Sequence, residues 1–139
     1  MKRLLFAVGL VSVLSAVPIA AAPKNTEPSV IILNTPSQAL AGSTAWEPKL
    51  GESITFTVTY PKTLEHYGVR IQVLCYQDGN LVYGEAGPYS QSFLLGGAMS
   101  TWYLAGGAAS CHADLYYWSY NGGQKFNPLA WVEFSAAGR

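Results

Sequence analysis

Two histidines, two cysteines and a handful of carboxylates are the groups in this chain that could do acid–base, metal or thiol chemistry. His112 and Asp114 stand two apart on what reads as a strand, so both side chains point to one face, several ångströms apart. A serine hydrolase needs a nucleophile, a base and an orienting carboxylate that meet in space. No serine sits in a strained G-x-S-x-G turn, and His66 lies in a connector beside Glu65. A metal site would need a third ligand beside His112 and Asp114, and no spaced acidic loop occurs to supply one. Glycoside hydrolysis would draw a carboxylate pair from Glu47, Glu52, Glu65, Asp78, Glu85, Asp114 and Glu133, and nothing in their spacing selects two. The expectation is a non-enzymatic chain with no catalytic residues, no metal and no cofactor.

Cys75 and Cys111 have a different reading. An even cysteine count in an exported chain reads as a disulfide, and two cysteines allow one pairing. Export is written in the first residues. Met1, Lys2 and Arg3 form a basic head, Leu4 to Val17 is almost purely apolar, and Ala20, Ala21 and Ala22 close the segment. Basic head, apolar run and small-residue end make a secretory signal. The run is shorter than the ~20 residues of a membrane helix. Residues 1–21 are therefore expected to be a signal peptide, 22–28 a flexible leader, and 29–139 one domain. The mature chain should be secreted, to the outside or the cell envelope, with no stable membrane span.

Composition bounds the partners. The chain has 139 residues, 12% charged and 13% aromatic, with eight basic and eight acidic side chains. That length suits one domain, and the aromatic content argues against disorder. Balanced charge leaves no basic patch for nucleic acid. An unknown protein or a glycan remains as the partner.

The elements that must position any site are strands. In Ser53 to Tyr60 (SITFTVTY), Ile54, Phe56, Val58 and Tyr60 alternate with serine and threonines, the period of a half-buried strand. Val69 to Gln77 alternates again, with Val69, Ile71, Val73 and Cys75 on one face. Asp78-Gly79 supplies the positive φ angles of a tight hairpin turn. Leu81 to Glu85 returns. Ser29 to Leu33, Ser92 to Leu95 and Leu129 to Phe134 read as shorter strands, and a segment TWYL stands between two glycine pairs. Ser110 to Tyr120 is a long strand, with Cys111, Ala113, Leu115 and Tyr117 inward and His112, Asp114, Tyr116 and Trp118 outward. Trp46, in the loop from Asn34 to Gly51, reads as a lid over one end of the core. Seven or eight strands, turn signals between them and uneven connections predict an all-β Greek-key sandwich.

Strand phase also picks out a surface. Tyr76, Tyr116 and Trp118 fall on the outward phase of neighbouring strands, with Leu74 and Tyr83 extending the patch. Flat aromatic surfaces suit sugar rings or protein hot spots. The plainer alternative is cross-strand aromatic pairing, or cover by Trp46 and its loop.

The segments GESITFTVTYP, RIQVLCYQDGNLVYGE, GGAASCHADLYYW and LAWVEFSAAG resemble the B, C, F and G strands of an immunoglobulin-like or fibronectin-type β-sandwich of exported bacterial and phage proteins. The resemblance spans residues 29 to 137. It implies a bond between Cys75 on strand C and Cys111 on strand F, neighbours in one sheet. Antibody-type domains join B and F, carry a Trp on C and place a Tyr two residues before the second Cys. Here Ala109 holds that position and the Cys75 strand has no Trp, so the resemblance is to sandwiches outside the antibody type. It implies an exported domain that acts by surface contact, in adhesion or at the cell envelope. A small carbohydrate-binding module using Tyr76, Tyr116 and Trp118 is the alternative.

Overall fold

The computed structural model describes residues 27–35 and 46–139. The expected signal over 1–21, most of the expected leader over 22–28 and the middle of the loop from Asn34 to Gly51 lie outside the described residues.

The described chain is an all-β sandwich. Its strands are β1 (Val30–Leu33), β2 (Ser53–Ile54), β3 (Phe56–Thr59), β4 (Arg70–Gln77), β5 (Asn80–Pro88), β6 (Phe93–Leu94), β7 (Ala109–Ser119) and β8 (Lys125–Ala136). One layer is a four-stranded antiparallel sheet in the order β5-β4-β7-β8. The other is built from two antiparallel pairs, β1 with β3 and β2 with β6. The expected single strand over Ser53 to Tyr60 is interrupted at Thr55, where its first part pairs with β6 and its second with β1. Asn34 ties the break, donating to Thr55 Oγ1 at 3.0 Å and accepting from Thr57 Oγ1 at 2.7 Å.

Phe56 joins the layers. Its ring meets Phe93 edge-on at 5.8 Å and Phe134 of β8 at 6.4 Å. Around this contact Ile54, Ile71, Val73, Leu95, Ala113 and Leu115 are fully buried. Each large aliphatic or aromatic side chain removed from water contributes about 1.5–3 kcal/mol, so this inner layer dominates the stability.

Cys75 and Cys111 are direct register partners on β4 and β7, Cα atoms 4.0 Å apart, joined by a disulfide inside one sheet. Both sulfurs belong to the core cluster. The hairpin between β4 and β5 turns through Asp78 (φ 48°) and Gly79 (φ 79°), with Gln77 opposite Asn80. Two consecutive positive φ angles match the twist of the flanking strands, which is why Asp-Gly serves here.

The TWYL segment is a short helix, α1 (Thr101–Ala105). Ser100 accepts from the Tyr103 amide at 3.1 Å at its start, and Gly106 (φ 64°) ends it. Trp102 drops from it into the core, wholly buried, and donates its indole N–H to the Gly107 carbonyl at 2.9 Å. Trp46 is half-buried against the same core.

Two bulges reset the strand phase. Between β4 and β5, Cys75 faces Tyr83 while Tyr76 faces Leu81, so Val82 is an extra residue. Between β7 and β8, Leu115 faces Ala130 while Tyr116 faces Pro128, so Leu129 is extra. β8 thus runs from Lys125 to Ala136, well beyond the six residues expected. Pro128, which has no N–H to give a ladder, is accommodated because β8 is a marginal strand with a bulge beside it.

Candidate functional site

The outer face of the four-stranded sheet follows from register. Arg70, Tyr116 and Pro128 share one row, Gln72 and Asp114 lead to Trp131 in the next, and Leu74 and His112 lead to Glu133 in a third. Tyr76 and Ser110 lead to Ser135 in a fourth, and Trp118 faces Phe126 beyond the end of β4. Rows in a sheet lie ~4.8 Å apart strand to strand, so these side chains form one surface.

The expected aromatic residues behave differently from one another. Tyr76 is exposed at 37%. Trp118 is half-buried. Tyr116 faces outward but is only 4% accessible, because Phe126 lies over it at 4.7 Å and Trp118 meets it edge-on at 5.9 Å. These three are a cross-strand aromatic cluster, and Tyr116 is its floor. Leu74 is on the outer face, half-buried. Tyr83 is not part of the patch: the bulge at Val82 turns it to the inner side, where it is buried.

Tyr83 has its own polar neighbourhood there. Its hydroxyl donates to Glu85 at 2.6 Å, and Gln91 donates to the other Glu85 oxygen at 2.7 Å. Burial pushes the Tyr83 phenol far above its ordinary value, and the bond to Glu85 adds to the shift.

The most exposed aromatic ring of the face is one the strand reading passed over. Trp131 is 61% accessible. Its ring stacks on His112 at 5.6 Å and 21° between planes. His112 Nε2 lies 2.8 Å from Asp114, much closer than their spacing along the strand implied, and its Nδ1 lies 3.9 Å from Glu133. Asp114 thus fixes the imidazole, and the imidazole backs the indole. Strict alternation from Phe126 would put Trp131, five residues on, on the opposite face. The bulge at Leu129 brings both outward.

No family model, no curated protein and no solved structure matches the chain at a significant level. His112 and Asp114 make a base with an orienting carboxylate, but among the described residues no hydroxyl is hydrogen-bonded to the imidazole. No three His, Cys, Asp or Glu side chains converge on a metal site among the described residues. What the face offers is a half-aromatic surface, with Asp114 of β7 and Glu133 of β8 on either side of the His112–Trp131 stack. A disulfide in the core fits an oxidising compartment. No helix among the described residues is long and apolar enough to cross a membrane.

Proposed function

We propose that this chain is a secreted immunoglobulin-like domain, non-enzymatic, that acts by surface contact at the cell envelope through the outer face of its four-stranded sheet. The observation that carries the reading is Trp131: a large ring, mostly in water, held still by the His112 stack on a strand rather than a loop. Indole rings presented on rigid scaffolds give much contact area at little ordering cost, the profile of a binding hot spot. Export is supported by the basic head and apolar run of the first residues together with the disulfide. The immunoglobulin-like assignment is supported by the way the chain changes layers after β3, β5 and β6.

A second reading, a saccharide contact, is favoured by one feature. An exposed indole beside carboxylates can stack on the C–H face of a sugar while the carboxylates accept from its hydroxyls. Two assays separate these. The mature protein and its Trp131→Ala variant are tested for retention on the host cell-envelope fraction, and both are applied to a glycan array. Retention lost in the variant, with no glycan bound, supports the protein contact. Equal retention of both proteins overturns the reading, and Trp131-dependent glycan binding replaces it with the second.

A further inference from the structure

The outer face ends in a groove whose charge points to its occupant. Beyond His112, two open depressions adjoin along the end of β4, β7 and β8. One, of about 710 Å³, is lined by Tyr76, Ser110, His112, Glu133 and Ser135 among others. The next, of about 590 Å³, shares Tyr76, Ser110 and Ser135 and adds Glu47 and Asp78. Three carboxylates therefore line one continuous groove, and among the described residues no lysine or arginine lines either part. Its walls are stiff. Gln77 donates to the Gly106 and Ala108 carbonyls at 2.6 and 3.0 Å, which ties the loop after α1 to the β4–β5 hairpin. Tyr76 lines both parts and is exposed at 37%, which leaves its ring within reach of an occupant.

We infer that this groove takes a basic segment of a protein partner, with lysine or arginine side chains set against Glu47, Asp78 and Glu133 and one of them over the Tyr76 ring. Carboxylates spaced along a groove attract cations that are spaced along a chain, and an aromatic ring within reach adds a cation–π contact. A groove whose described lining carries three carboxylates and no lysine or arginine also repels acidic partners, so the same residues select against the wrong ones. The guanidinium group suits the site best, because its fork meets a carboxylate through two hydrogen bonds. The inference rests on the surface-contact reading and specifies its partner.

The test uses the mature protein with three probes: a fluorescent hexa-arginine peptide, its hexa-citrulline counterpart, which is nearly isosteric and neutral, and a neutral cello-oligosaccharide. Binding is read by anisotropy at low and high salt. The arginine peptide should bind at least tenfold more tightly than the citrulline peptide, and its affinity should fall as salt rises. Glu133→Gln, Asp78→Asn and Glu47→Gln should each weaken it about two- to fivefold, and Tyr76→Ala by a similar factor. Glu65→Gln, on the turn before β4 and away from the groove, should leave it unchanged. Equal binding of the citrulline peptide, or equal weakening by Glu65→Gln, overturns the inference, since the attraction is then not charge-based or not sited in the groove. Binding of the oligosaccharide alone overturns it too. If Trp131→Ala abolishes envelope retention while neutralising all three carboxylates does not, the surface-contact reading stands and the basic partner falls.

Discussion

Tyr116 lies under Phe126, ring centroids 4.7 Å apart, on the side of the sheet that faces water. The pair divides the outer face into a part that holds the sheet together and a part that is free to touch something else. Tyr116→Ala should therefore lower stability by about 0.5–3 kcal/mol, less than loss of an aromatic from the inner core, and should loosen the β7–β8 pairing at its end. Trp131→Ala should stay within about 0.5 kcal/mol of the parent, because the ring is mostly solvated. Urea titration of both variants checks the contrast, and the order of the two effects is the point at issue.

Removing the disulfide should cost much more than any surface change. Cys75 and Cys111 are separated by 36 positions, and closing a loop of that size in the unfolded chain is worth about 4 kcal/mol in the chain-entropy treatment. The Cys75→Ala/Cys111→Ala double variant should unfold at a clearly lower denaturant concentration. Non-reducing mass spectrometry of the purified protein should give a mass two hydrogens below the dithiol form. Two thiols open to alkylation without denaturant would contradict the bonded pair.

Trp102 is the largest wholly buried side chain. Trp102→Ala should cost about 3–5 kcal/mol, and Trp102→Phe less, since it fills most of the space but leaves the Gly107 carbonyl without its donor. Thermal or urea unfolding followed by circular dichroism ranks the two.

Alkali should destabilise the fold through the Tyr83–Glu85 bond. Tyr83 keeps its proton to higher pH in the folded chain than in the unfolded one, where a phenol titrates near ~10. The folded state then binds more protons, so stability is fully present below about pH 10 and falls as pH rises above it. Tyr60, whose phenol is pushed up to about 12 first by the neighbouring Tyr89 hydroxyl and then by burial, acts in the same direction. Tyr83→Phe should be less stable at neutral pH and lose less stability than the parent between about pH 9 and 11. Urea midpoints across that range decide it.

The sheet partners were legible in the sequence wherever alternation was unbroken. Val69 to Gln77 and Ser110 to Tyr120 show period two, Asp78-Gly79 names its own turn, and the two cysteines fall on the core phase of those strands. The site was less legible, because its key rings sit beside bulges. Leu81 and Tyr83 share a phase in the sequence but not in the sheet, since Val82 is extra. Phe126 and Trp131 differ in phase in the sequence but share a face, since Leu129 is extra. The last strand was expected to start at Leu129, so Lys125 to Pro128 at the start of β8 were missed: a proline with no N–H to give a ladder stands among them. The helix at Thr101 to Ala105 was invisible for another reason: one capped turn with a single buried Trp carries no periodicity.

The bulged, proline-bearing margin of the four-stranded sheet bears on crowding. An exposed strand of twelve residues is a template on which a second molecule could add its own strand and begin a fibre. Along β8 that template is faulty. Pro128 gives no N–H, Leu129 throws the ladder out of step, and Lys125 and Glu133 put charge on the rim. The same irregularity that turns Trp131 outward makes β8 a poor edge for the strand of a second copy to pair with.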